Sequence, residues 1–299
     1  MKTLTWLRRP WRSAVALVVA VGLLALVGAV AYGQAAQPAI QTFTPKSEKQ
    51  VTNIDVLRQQ LKNYYGAPLA TTGPNGTWRD PLNLHGNYAR EARSVAGRGG
   101  AWLAARSRVS HRAIVLDVDD TTLATWNYEL FSNWDFNPAT NATFVNNEWF
   151  SAVPGMVRMV NAADRKGYAI FFLTGRPASQ EAATLANLTT GDWDTTVTDP
   201  PSIDAGYPSP TPASAAEDGL FTKPPVGSYP DYLNEPAFCA EAIASGTSCP
   251  TIRYKSGVRA HLEALGWHIV GNFGDQFSDL KGGFADKTFK LPNPNYYLP

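Results

Sequence analysis

Cysteine is nearly absent from this chain: 299 residues hold two, Cys239 and Cys249, which excludes a disulfide-stapled miniprotein and any multi-cysteine metal cluster. Histidine is almost as scarce. The four present, His85, His111, His261 and His268, stand at no metal-ligand spacing, which argues against a zinc enzyme. A basic excess is also missing, since 26 Lys+Arg against 25 Asp+Glu give a net charge of +1. That balance cannot neutralise a phosphate backbone, so nucleic acid is not an expected partner. Only 17% of residues are charged while 44% are hydrophobic, which excludes disorder along the whole length and suits one or two globular domains. There are no internal repeats, and only one long uncharged apolar run.

That run, residues 14–32, follows Lys2, Arg8, Arg9 and Arg12 with no acid before it, the layout of an export signal. It is also just long enough to cross a bilayer as one helix, so residues 1–35 read as a signal peptide or an N-terminal membrane anchor. Small residues at Gly33, Ala35 and Ala36 favour cleavage. Arg8-Arg9 alone makes a poor twin-arginine motif. Without residues 1–35 the count becomes 22 basic against 25 acidic, so the mature chain is mildly acidic. It is expected to be secreted or extracytoplasmic, with a membrane partner only if the apolar segment is retained.

Residues 36–52 are polar, with Pro and Gln, and read as a linker. Asn53 then caps a stretch with Ile54, Leu57, Leu61 and Tyr64 on one helical face, stopped by Gly66. A loop rich in Gly and Pro precedes a second helical stretch over 88–106, so residues 53–110 form a helical preface. From Ala113 strands alternate with helices: a strand over 113–116, a helical stripe of Met156, Met159, Val160 and Ala163, a strand over 169–173, a helix over 177–188, a helix carrying Val258, Leu262 and Leu265, and a strand over 268–272. This order predicts an α/β core with a doubly wound parallel sheet over residues 111–299. Residues 189–252 interrupt it as a loop-rich insertion in which only 220–222 hint at a strand. A segment of that size is usually functional or mobile rather than core. Cys239 and Cys249 lie inside it, ten positions apart in an exported chain, and should form a disulfide.

In an open parallel sheet ligands bind at the carboxyl ends of the strands, so the polar residues there are the candidates. The first end is AIVLDVDDTTL, where Asp117 and Asp119 share a face of extended chain and Asp120 points away. Two such carboxylates can divide the work of nucleophile or metal ligand and proton donor. An acidic calcium-type loop or plain solvation fits the same letters. The second end is AIFFLTGRP, with Thr174 leaving the sheet and Gly175 at a helix start, where free N–H groups bind phosphate or Thr174 simply caps the helix. Lys255 in TIRYKSGVR stands at another helix start, a poor place for a cation without an anionic partner. Asp275 and Asp279 in GDQFSD are four apart, one helical turn, and with Asp117 supply oxygen ligands suited to Mg2+; alone they could be an N-cap and a first-turn acid.

The order DxDxT, Thr-Gly-Arg, Lys, GDxxxD resembles the signature set of the haloacid dehalogenase superfamily. Within it the chain is most similar to the secreted acid phosphatases grouped with plant acid phosphatases and vegetative storage proteins, a class B acid phosphatase type. The echoes are LDVDDTTL, FFLTGRP, YKSGVRAHLEALGW, IVGNFGDQFSDL and the terminal FKLPNPNYYLP. The likeness runs from about Ile54 to the C-terminus and lapses over 189–252. It implies a Rossmannoid core with a small cap, and a Mg2+-dependent phosphomonoesterase working through an aspartyl-phosphate on a small-molecule phosphomonoester. Asp117 would be the nucleophile and Asp119 the general acid and base. Thr174, Gly175, Arg176 and Lys255 would hold the phosphate, and Mg2+ would be bound by Asp117, the carbonyl of Asp119 and Asp275, with Asp279 orienting that shell. The aromatics Trp126, Tyr128, Phe131, Trp134, Phe136, Trp149 and Phe150 fall where this family places its cap. No histidine lies in an RHG motif, and neither cysteine is followed by arginine at the required spacing, which disfavours histidine and cysteine phosphatases. A storage-type phosphate binder and a phosphotransferase stand as the alternatives; storage members often lose the nucleophile, which is present here.

Overall fold

The computed structural model describes residues 44–66, 82–107, 110–189 and 205–298. The export signal or anchor, residues 1–35, lies outside the described residues. Among those described, no helix is long and apolar enough to cross a membrane.

Two preface helices come first, α1 (Ile54–Tyr65) and α2 (Asn87–Ala104). Asn53 starts α1 by accepting from the N–H groups of Asp55 and Val56 at 3.0 and 3.2 Å, and Gly66 ends it in the left-handed region. The apolar stripe expected to bury α1 does not, since Ile54 and Leu57 stay exposed and Tyr65 is the residue that enters the core. Gly99 in α2 is not merely tolerated. A Cβ there would lie 2.5 Å from the Phe273 ring, so glycine lets the helix lie directly on the sheet.

Five parallel strands follow, β1 (Arg112–Leu116), β4 (Ala169–Pro177), β5 (Leu220–Lys223), β6 (His268–Gly274) and β7 (Thr288–Lys290), in the spatial order β5-β4-β1-β6-β7. Alternate residues of β1 enter two different cores. Ile114 and Leu116 pack with α2 and with α5 (Met156–Arg165), while Ala113 and Val115 pack with Tyr254, Val258 and Leu262 of α8 (Thr251–Ala264). Helices on both faces make the sheet doubly wound, as the alternation predicted. Between β1 and α5 a small unit covers the carboxyl end of β1. It comprises β2 (Leu123–Ala124), α3 (Trp126–Ser132), α4 (Pro138–Asn146) and β3 (Ser151–Ala152), with β2 and β3 antiparallel.

After α6 (Glu181–Thr189) the chain reads as irregular, yet its described part, 205–252, contributes to the core. It supplies the edge strand β5 and the short helix α7 (Ala240–Ser245), and Leu233, Cys239, Ala242 and Cys249 are buried against α8. Cys239 and Cys249 are disulfide-bonded, with Cα atoms 5.3 Å apart. The sequence hints at the strand over 220–222 but not at the helix, because six residues are too few to leave a periodic signal. The last helix is α9 (Phe277–Leu280).

Candidate active site

The carboxyl end of β1 is also the middle of the sheet, so residues leaving it meet the ends of β4 and β6. The Asp117 N–H bonds to Phe273 O at 3.0 Å, and there the strand stops. Thr122 closes the turn by donating its hydroxyl to the carbonyls of Asp117 and Val118 at 3.0 and 3.2 Å. Asp120 adopts φ +52° and turns inward, where the Thr125 N–H and hydroxyl donate to its carboxylate at 2.9 and 2.6 Å. This turn separates the two candidate carboxylates, and each finds its own cation.

Asp117 is buried and pairs with the Lys255 ammonium, which also bonds Asp279 at 2.6 Å. Lys255 is not at the helix start that its sequence suggests: α8 begins at Thr251, so Lys255 lies in its second turn, and it is buried. What needs compensating is its burial, and the two carboxylates supply that. Burial alone would lower the ammonium's pKa, but Asp117 and Asp279 outweigh it and hold the group charged. Burial, then the charge of Asp279, pushes the Asp117 carboxyl well above the ordinary range, with Lys255 pulling the other way.

Asp275 and Asp279 flank the N-cap of α9 rather than lying one turn apart on a longer helix. Gln276 is the cap, and its N–H donates to Asp279 at 2.8 Å in a capping box. Gly274 makes this possible, since a Cβ there would lie 2.4 Å from that of Asp279. Asp275 accepts from the Thr121 hydroxyl at 3.1 Å and from the Gln276 amide at 2.8 Å. Burial and then the charge of Asp279 raise its pKa to about 7. Carboxylate oxygens of Asp117, Asp275 and Asp279 all lie within 4.8 Å of one another. Three buried carboxyl groups share one ammonium, so ionisation of more than one of them lacks a compensating cation. An all-oxygen donor set with that deficit fits a hard divalent cation.

Asp119 has different surroundings. Its side chain is 31% exposed and is gripped by the Arg176 guanidinium, with Nε 3.2 and 3.1 Å from its two oxygens and a terminal nitrogen 2.6 Å from one of them. Arg176 is not the exposed helix-start arginine that its position allows. It is buried, donates to Thr184 Oγ1 at 3.0 Å and lies 5.3 Å from the centre of the Phe150 ring. The reason is that β4 runs on to Pro177 with an irregular register, and helical structure begins only with a 3-10 turn at Ala178–Gln180. Thr174 therefore caps no helix; its hydroxyl accepts the Arg176 N–H at 3.1 Å, and it is fully buried while Gly175 is exposed.

The structure thus brings together Asp117, Lys255, Asp275 and Asp279 on one side of the β1 end, and Asp119, Thr174 and Arg176 on the other. Three further groups escaped the sequence reading. Asp120 is buried beside Asp275, its pKa raised by burial to about 6. Glu129 of α3 is buried, and burial followed by the charges of Asp120 and Asp119 raises its pKa to about 8. Asn293, in the terminal FKLPNPNYYLP, reaches back to both Asp120 and Asp275. Of the cap aromatics, Trp126, Tyr128 and Phe150 are buried, Trp126 stacked on Tyr65 of the preface at 3.9 Å, while Phe131 and Phe136 are exposed.

The family model described as HAD superfamily, subfamily IIIB (Acid phosphatase) matches residues 30–199 and 242–299. The Stem 28 kDa glycoprotein of Glycine max is 28% identical over 72% of this chain and 72% of its own length. Acid phosphatase 1 of Solanum lycopersicum is 26% identical over 62% of this chain and 58% of its own. Among solved structures, the class C acid phosphatase from Bacillus anthracis is similar at 20% identity and a TM-score of 0.48, covering 71% of this chain and 80% of that one.

Proposed function

Because this chain belongs to subfamily IIIB of the HAD superfamily, the acid phosphatases, and is a phosphomonoesterase, we propose that it is exported and hydrolyses small-molecule phosphomonoesters with Mg2+ through an aspartyl-phosphate on Asp117. The observation that carries this reading is the division of the site: a buried Asp117 amid Lys255, Asp275 and Asp279, beside a half-exposed Asp119 held by Arg176.

In this reading Asp117, the Asp119 carbonyl and Asp275 would hold the metal, and Asp279 would orient that shell while sharing Lys255. A bound Mg2+ would supply charge neutralisation for the phosphoryl oxygens and the carboxylates. Lys255 opposes the rise in the Asp117 pKa, favouring the carboxylate needed for attack, and faces the incoming phosphate. Thr174, Gly175 and Arg176 border the phosphate from β4, Thr174 through its hydroxyl and Gly175 through its N–H. Asp119 donates a proton to the leaving alkoxide and then takes one from the attacking water, for which its access to solvent suits it. Attack by Asp117 Oδ on phosphorus expels the alcohol; attack by water restores the carboxylate and releases phosphate.

Export is supported by the charged-then-apolar residues 1–35 and by the Cys239–Cys249 disulfide, which is stable in an oxidising compartment. Nucleic acid is not a partner in this reading, and membrane contact requires retention of the apolar segment. The test is hydrolysis of a phosphomonoester panel by the full chain before and after exhaustive chelation. Activity lost to chelator and restored better by Mg2+ than by Zn2+ is the expected result. Undiminished turnover without metal would overturn the metal assignment, and release of phosphate with no trappable phosphoenzyme would overturn the covalent one.

A further inference from the structure

The C-terminal segment beyond β7 is irregular in form but bound at defined points. Leu291 N–H bonds to Gly274 O at 2.9 Å, directing the chain back across the carboxyl ends of the strands. The Asn293 amide nitrogen donates to Asp275 Oδ2 at 2.7 Å and to Asp120 Oδ2 at 3.3 Å, while its oxygen accepts the Asn295 N–H at 2.8 Å. Amide orientation is decided by these partners, since carboxylates accept and a backbone N–H donates. Among the described residues it is the one side chain that donates to both carboxylates.

We propose that Asn293 is a positioning residue for the cation site: by donating to Asp275 and Asp120 together it holds Asp275 in the one orientation that meets Asp117 and Asp279. The reason is electrostatic. Asp120 and Asp275 are both buried, and two carboxylates facing each other at low dielectric repel strongly. One amide placed between them donates a hydrogen bond to each without adding charge, so Asp275 is not driven from the cluster. Asp120 in turn is fixed by Thr125, which anchors the pair to the turn that carries Asp117 and Asp119. Second-layer groups of this kind orient a ligand before the metal arrives.

The segment has attachments that do not involve these carboxylates. Asn295 donates to the Tyr65 hydroxyl at 2.9 Å and accepts from Trp134 Nε1 at 3.3 Å, tying the preface and the cap to the tail. Loss of Asn295 should therefore loosen the tail and leave Asp275 in place, which separates positioning from docking.

The proposal rests on the metal reading above and is tested by titrating Mg2+ alone into the full chain in a calorimeter, with unfolding followed in parallel. Asn293→Leu, similar in size and without a donor, is expected to weaken Mg2+ binding by about 10- to 100-fold. Asn295→Leu is expected to lower the unfolding midpoint with Mg2+ affinity close to wild type. Asn293→Gln, which keeps the amide, should recover part of the affinity. Unchanged Mg2+ binding in Asn293→Leu overturns the proposal, as does equal weakening in Asn293→Leu and Asn295→Leu. If Asn293→Leu fails to fold, Asn293→Ser takes its place, since one short hydroxyl cannot donate to both carboxylates, and the same outcomes decide. A wild type that binds no Mg2+ overturns the metal reading itself, and this proposal with it.

Discussion

The two sides of the active site solve the same problem, a carboxylate beside a cation, in opposite ways. Asp117 shares a buried ammonium with Asp279 and lies within reach of Asp275, on the ends of two central strands and a helix. Asp119 is partly exposed and is clasped by a planar guanidinium that is itself braced by Thr184 and Phe150. An ammonium is a compact charge that several oxygens can share, whereas a guanidinium matches one carboxylate by its fork. The first arrangement accumulates negative charge and so calls for a cation. The second holds one carboxylate in place while leaving it in contact with water, as proton transfer requires.

The largest effect is expected on the Asp117 side. Asp117→Asn removes the attacking oxygen and one charge of the cation site together, so turnover and phosphoenzyme should both vanish on every substrate, as read by phosphate release and acid-quench trapping. Wild-type rates in this variant would show that the two sides had been assigned the wrong way round. A storage-type protein would show no turnover even in the wild type.

Asp119→Asn leaves Asp117 and Lys255 untouched and should cost about 10² to 10⁴ in kcat with alkyl phosphates. The loss should shrink with aryl phosphates, whose leaving groups need less protonation. An identical loss across leaving groups would remove Asp119 from the proton-transfer role.

A smaller effect is expected at Arg176. Arg176→Lys keeps the charge and loses the fork, at a cost of roughly one charge-assisted hydrogen bond, about 1.5 kcal/mol or near tenfold in rate. If Arg176 serves only to pack the cap, KM and kcat should instead stay level while thermal stability falls.

The last test concerns stability rather than rate. The Glu129 carboxyl is raised by burial, and then by Asp120 and Asp119, to about 8 from an ordinary 4.5. The folded protein therefore holds this proton more tightly than the unfolded chain does. Its contribution is complete below about 4.5 and is lost as pH rises through about 8. Glu129→Gln, neutral throughout, should match the wild type at pH near 4 and exceed it at alkaline pH by on the order of a few kcal/mol. Urea unfolding at both ends of that window checks it, and a constant difference across pH would place the Glu129 carboxyl in water.

Strand-end polarity was readable because a buried parallel strand is a short apolar run and its first polar residue is conspicuous. Asp117, Thr174 and Asp275 were all found at strand ends or within one parallel strand by that signal. Burial of Lys255 and Arg176 was not readable, since a lone cation in sequence looks the same on a surface as inside a charge cluster. Glu129 left no signal for the same reason. The segment 205–252 gave only a hint of its strand, over 220–222, because that strand is stabilised by pairing with β4 rather than by its own pattern.

Local chemistry in the chain was thus sufficient to decide that a parallel sheet forms, where its three central strands alternate with helices, and which residue types stand at their ends. Periodicity and turn residues act over a few neighbours, and that is the range of those decisions. Which carboxylate meets which cation was decided only when the chain closed. Asp117 and Lys255 are 138 positions apart, Asp119 and Arg176 are 57 apart, and Asn293 reaches Asp120 across 173. Their partnerships depend on burial and on charge at low dielectric, and neither exists until the sheet, the cap and the C-terminal segment are packed together.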